Sequence, residues 1–150
     1  LRFETESVKP ADISYPDNPK TIGDHIRKKR LDLKLLQKDV AKIFNVSEDC
    51  ITYWENNRSK PLIYYYPDVI RFLGYCPFVL DLNTFKGRIL AYRYLNGLSR
   101  KHFAKMMGVD PQTVVGWENG RGKKSKRAEI ERLLADYDFN LCLISDNVIK

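Results

Sequence analysis

Residues 22 to 60 recur as residues 85 to 123 at a constant offset of 63, without a gap, and 12 of the 39 aligned positions are identical. The identical pairs are Ile26/Ile89, Arg30/Arg93, Leu35/Leu98, Lys38/Lys101, Ala41/Ala104, Lys42/Lys105, Val46/Val109, Trp54/Trp117, Glu55/Glu118, Asn56/Asn119, Arg58/Arg121 and Lys60/Lys123. In a chain of 150 residues a repeat this long leaves little room for any fold other than two small units of one architecture.

The punctuation inside each copy is helical. Thr21 can cap a helix from Ile22 to about Leu33, with Ile22, Ile26 and Leu33 on one face and Arg27, Lys28 and Lys34 outward. A second helix runs from about Leu36 to Phe44. After the break at Asn45-Val46, Ser47 caps a third helix ending near Asn56. A further helix from about Asp68 stops at Gly74. In the second copy Ser99 and Asp110 are caps, Pro111 takes a first helical position, Gly108 sits in the turn, and the closing helix spans about Ala128 to Tyr137.

This organisation predicts an all-α chain: an extended arm over residues 1–20, a first module over 21–75, an apolar connector over 76–83, a second module over 84–137, and a tail over 138–150. Each module is expected to hold four to five helices. The arm holds Pro10, Pro16 and Pro19, which block helix propagation. The connector, with Phe78, Val79, Leu80 and Leu82, is too apolar for a free tether and should pack on one or both modules. Phe139, Leu141, Cys142, Leu143 and Ile144 read as a short strand, which needs a partner: the arm, a second protomer in a homodimer, or another protein.

The spacing Gln37-x3-Ala41-x3-Asn45-Val46-x4-Ile51-x2-Trp54 returns as Arg100-x3-Ala104-x3-Gly108-Val109-x4-Val114-x2-Trp117. Two short helices that cross closely need a small residue at the approach, here Ala41 and Ala104. They also need a turn residue that tolerates positive φ, here Asn45 and Gly108. With the following Trp-Glu-Asn-x-Arg, both segments resemble the Cro and phage-repressor helix-turn-helix family. The resemblance covers residues 21–74 and 84–137. It implies a sequence-specific, repressor-like transcriptional regulator of prokaryotic or phage type that reads two half-sites of double-stranded DNA with helices 48–56 and 111–119.

By that resemblance, Gln37 with Lys38 and Arg100 with Lys101 stand where a second helix meets the phosphate backbone. Glu48, Asp49, Thr52 and Tyr53 in the first copy, and Gln112, Thr113 and Val115 in the second, stand where base edges are read. Gln112 suits adenine and Val115 a thymine methyl. Asn57, Arg58 and Lys60, and Arg121, Lys123 and Lys124, would grip phosphates. Glu48 and Asp49 are unexpected at a reading edge: they either accept from cytosine or merely favour the helix dipole. Gly116 leaves a central reading position without a side chain. Trp54 and Trp117 share helical phase with Ile51 and Val114 and are expected in the core. Arg30 with Glu55, and Arg93 with Glu118, recur at one separation. They are expected as ion pairs that orient the arginines, or else as surface pairs of little weight.

The formal charge is +7, which favours a polyanionic partner. Residues 20–75 carry 11 Lys/Arg against 7 Asp/Glu and residues 84–137 carry 12 against 5, so the second copy is the more basic. Cys50, Cys76 and Cys142 show no metal or disulfide spacing, and His25 and His102 lack acidic or thiol neighbours at metal spacing. No metal and no cofactor is expected. No apolar run reaches the roughly 20 residues of a membrane span, and no signal-peptide pattern opens the chain, so a cytoplasmic location without membrane association is expected. Leu1 in place of an initiating Met points to a processed or trimmed chain.

No carboxylate cluster, nucleophile pair or glycine loop indicates catalysis, so the chain is not expected to be an enzyme. Two other functions remain open on sequence: a protein-interaction scaffold in which the first copy docks a protein, and the DNA-binding part of a larger transposase or recombinase.

Overall fold

The computed structural model describes residues 15–122 and 126–142. All regular elements among them are helical. Residues 1–14 of the expected arm, residues 123–125 with Lys123 and Lys124, and residues 143–150 lie outside this range. The chain divides into two compact units, the first ending at Lys60 and the second starting at Pro61.

The first unit contains α1 (Ile22–Asp32), α2 (Gln37–Phe44) and α3 (Glu48–Glu55). Thr21 starts α1 because its extended backbone lets Oγ1 accept from Asp24 N at 3.0 Å, while the Asp24 carboxylate accepts from Thr21 N at 3.2 Å. Two otherwise unsatisfied amides are thereby bonded reciprocally. Leu36 cannot cap α2 with its own side chain, so Asp39 reaches back to accept from Leu36 N at 2.8 Å. Asn45 then closes α2 at φ 55°, and Ser47 opens α3 by accepting from Cys50 N. The buried apolar side chains of this unit are Ile26, Val40, Ala41, Phe44, Ile51 and Trp54, with Phe44 and Trp54 edge to face at 5.9 Å. Gly23 sits against the end of α3: a Cβ there would lie 1.8 Å from Trp54 O. Leu33, expected on the buried face, is 49% exposed because α1 ends before it.

The second unit opens with a 3-10 turn at Ile63–Tyr65, followed by α4 (Tyr66–Leu73), α5 (Phe85–Asn96), α6 (Arg100–Met107), α7 (Pro111–Glu118) and α8 (Arg127–Ala135). Thr84, Ser99 and Asp110 cap α5, α6 and α7 through Gly87 N, His102 N and Gln112 N. One cluster gathers Phe85, Ile89, Phe103, Ala104, Val114, Trp117, Ile130 and Leu134. A second joins Ile70 of α4, Cys76, Ala91 of α5 and Cys142, with Phe78, Leu80 and Leu82 packed against it. The stretch 76–83 is therefore built into this unit, and Phe78 stacks on Tyr66 at 4.7 Å. The division between units falls ahead of α4, a helix that the sequence placed in the first module over 21–75.

The strand expected from Phe139 is corrected over its described part. Asn140 to Cys142 are helical. Asp138 accepts from Asn140 N at 2.9 Å, and Cys142 N donates to Phe139 O at 2.8 Å. An aspartate acceptor two residues upstream starts a helical turn where apolar composition alone suggested extension. The remainder, Leu143 and Ile144, lies outside the described residues.

Candidate nucleic-acid interface

Each unit contains the same polar construction at positions 63 residues apart. In the first, Arg30 Nε donates to Glu55 Oε1 at 2.6 Å, its terminal nitrogens donate to Glu55 Oε2 at 2.8 Å and to Leu35 O at 3.1 Å, and Gln37 Nε2 donates to Glu55 Oε2 at 3.0 Å. In the second, Arg93 is bonded to Glu118 and to Leu98 O, the latter at 3.1 Å, and Arg100 Nε donates to Glu118 Oε2 at 2.5 Å. The Glu55 and Glu118 residues are 3% and 4% exposed, so these are not the surface pairs of little weight that the sequence left open. A carboxylate this deep requires its cations and hydrogen bonds. The construction ties the end of the third helix to the first helix and to the start of the second.

The two copies differ in charge at this point. Glu55 is matched by one guanidinium and a neutral carboxamide, whereas Glu118 is matched by two guanidiniums. The head of α6 thus carries a surplus positive charge on Arg100, whose side chain is 53% exposed. Gln37 is engaged at both ends, since its Oε1 lies 2.9 Å from the Thr52 hydroxyl. A cleft of about 540 Å³ opens beside this pair, with Arg27, Lys38 and Glu48 among its lining residues.

On α3, Glu48, Asp49 and Tyr53 are exposed, and Thr52 is half-buried against Gln37. Asn57 holds φ 58° and bonds inward: Thr21 Oγ1 donates to its Oδ1 at 2.7 Å, and its Nδ2 donates to Asp24 Oδ1 at 3.1 Å. These bonds hold the Asp24 carboxyl below its ordinary range: burial raises it, but the amides of Lys20 and Thr21 and the Asn57 side chain together outweigh that. Lys38, Arg58 and Lys60 are exposed. Burial lowers the neighbouring His25, with Asp24 opposing and Lys28 reinforcing.

On α7, Gln112 is exposed and Thr113 and Val115 are half-buried. Lys101, beside Arg100 on α6, and Arg121, after α7, are exposed. Gly116 does not leave an open gap on α7: a Cβ there would lie 3.3 Å from Arg121 O and from Gly122 Cα, and Arg121 N donates to Gly116 O at 2.7 Å. The loop folds onto the helix at this position. Sequence reasoning also passed over Lys86 and Arg127. They line a cleft of about 290 Å³ together with Phe85, Trp117, Gly120 and Arg121. Trp54 and Trp117 are core residues, 5% and 2% exposed.

Among the described residues no group of three or more His, Cys, Asp or Glu side chains is placed to hold a metal ion, and no helix is long and apolar enough to cross a membrane.

A short helix with one exposed face that follows a left-handed turn, is pinned by a buried arginine–glutamate bridge and is flanked by exposed cations can enter a groove of a polyanionic duplex. Residues 89–135 match the helix-turn-helix family, a range that runs from within α5 to the end of α8. The match supports DNA binding and a role in transcription regulation. Comparison with curated proteins and with solved structures gave no match.

Proposed function

We propose that the chain is a cytoplasmic, non-catalytic, repressor-like regulator that binds double-stranded DNA at two unequal half-sites, with α7 as the principal reader and α3 as the second. The observation that carries this reading is the placement of exposed Gln112 on α7 between the cations Arg100, ahead of the turn, and Arg121, after the helix, within the segment that matches the helix-turn-helix family. Phosphate contacts at Arg100, Lys101, Arg121, Lys123 and Lys124 would supply affinity, and Gln112, Thr113 and Val115 would supply sequence discrimination. Lys38, Arg58 and Lys60 would serve the first unit in the same way, with Gln37 and Asn57 holding structure. Selection of the full chain against a randomised duplex library tests the reading: a recovered consensus of two dissimilar halves supports it, and recovery of no sequence above background overturns it.

A second reading is supported for the first unit alone. Glu48 and Asp49 are both exposed at the start of α3, and Gln37 is bonded within the protein. Two carboxylates at this edge repel phosphate and suit a basic protein partner. Replacing both by Gln separates the readings: DNA affinity rises if α3 faces the duplex, and stays unchanged if α3 docks a protein.

A further inference from the structure

The cleft between the start of α5 and the loop after α7 has a composition that the reading helix does not explain. Lys86, Arg121 and Arg127 line it, together with the aromatic side chains Phe85 and Trp117. The Arg127 guanidinium carbon stands 4.6 Å from the centroid of the Phe85 ring, and Arg127 Nε donates to Glu131 at 2.9 Å. Stacking and this single bond orient the guanidinium plane, which lowers the entropy lost when its terminal nitrogens take up an anion. With one carboxylate at Arg127 against three cations, the cleft retains a surplus of positive charge. Its volume of about 290 Å³ admits a phosphate group.

We infer that this cleft is a second backbone-gripping site of the second unit: Lys86 and Arg127, with Arg121, hold a DNA phosphate adjacent to the one gripped by the loop after α7. The inference rests on the DNA-binding reading above and extends it to two residues outside the repeated Trp-Glu-Asn-x-Arg motif. Their contacts are independent of sequence, and they lengthen the footprint of the unit without adding a base to its site.

The test measures affinity of the full chain for a random-sequence duplex of about 30 base pairs as a function of salt. Each phosphate contact contributes about 0.9 to the slope of log K against log salt. The double variant Lys86→Gln/Arg127→Met keeps an apolar stem over Phe85, and its melting temperature is checked against the parent. Its slope is expected to fall by about 1, the contribution of the one phosphate the cleft holds. The charge-matched control Lys105→Gln/Arg132→Gln removes two exposed cations that do not line the cleft, and its slope should move by much less. A parent that binds with an unchanged slope in the cleft variant, or an equal fall in the control, overturns the cleft and leaves the DNA-binding reading standing. A parent without salt-dependent binding overturns both. If the cleft variant fails to fold, Lys86→Gln alone is read: a fall larger than the control's supports the site, and one no larger overturns it.

Discussion

Arg93 and Glu118, 25 residues apart in the chain and both nearly inaccessible to solvent, form an ion pair that Arg100 joins from the first turn of α6. Its counterpart in the first unit, Arg30 with Glu55, is joined instead by the neutral Gln37.

Removing the carboxylate should therefore be costlier in the second unit. Glu118→Gln leaves a buried Arg93 without a counter-charge and sets it beside Arg100, an outcome of the kind that costs about 3–5 kcal/mol. Glu55→Gln strands one guanidinium rather than two and should cost less. Urea unfolding of the two variants checks the order, and equal losses would show that Arg100 adds nothing to the demand on Glu118.

Three left-handed positions of the first unit, Lys34, Asn45 and Asn57, correspond by the offset of 63 to Gly97, Gly108 and Gly120. Lys34 at φ 57° bears the cost of an L side chain in that region, about 1–2 kcal/mol, against about 0.5–1 kcal/mol for the entropy a glycine loses. Lys34→Gly is expected to stabilise the first unit by roughly 0.5–1 kcal/mol. Asn57→Gly relieves the same strain but loses the bonds to Thr21 and Asp24, so its midpoint should fall. A gain in both variants would mean that the Asn57 bonds carry no weight.

Gly116 and Gly122 should tolerate substitution unequally. At Gly116 an added Cβ meets the loop backbone at 3.3 Å, a contact that a small shift of Arg121 relieves. At Gly122 it meets Trp117 Cδ1 at 2.8 Å with φ at 126°. Gly122→Ala is expected to lose more than 1 kcal/mol, by forced backbone strain and a displaced buried indole, and Gly116→Ala less. Thermal melts followed by tryptophan fluorescence distinguish them, and a Gly116→Ala loss equal to that of Gly122→Ala would contradict the assignment.

His25 gives a sign for pH. Its folded pKa lies below the usual 6.5 through burial, so below that value the unfolded chain binds more protons than the folded one. Stability is then full above about pH 6.5 and declines as pH falls beneath it. The unfolding midpoint should drop between about pH 7.5 and 5.5, and His25→Gln should flatten that drop. A variant with the parent's full pH dependence would assign the effect to another group.

Local features were legible from the chain. Thr21, Ser47, Ser99 and Asp110 cap their helices because a cap needs only its own short side chain and an amide two or three residues on. The tryptophans and both arginine–glutamate pairs were legible too, because the repeat displayed each of them twice at a fixed separation. Gln37 and Asn57 were not. A long or branched polar side chain on a motif can reach several partners, and only packing brought Glu55, Thr52, Thr21 and Asp24 within hydrogen-bond distance.

The turn at Asn140 could not be read from the chain alone, whereas the helices of the two repeated segments, the caps and turns that bound them, and the residues that recur all could. Each of those depends on side chains a few positions apart or on a comparison of the chain with itself. Packing set the rest: α4 and residues 76–83 belong to the second unit, Gly116 seats a loop, and Lys86 and Arg127 line one cleft with Arg121. Those depend on which surfaces exclude water together, and Ile70, Ala91 and Cys142 reveal that only when brought into one core. The Arg93–Glu118 pair spans both levels. Its recurrence was visible in the letters, but the burial that makes it costly to break, and the second arginine that shares it, were set by the fold.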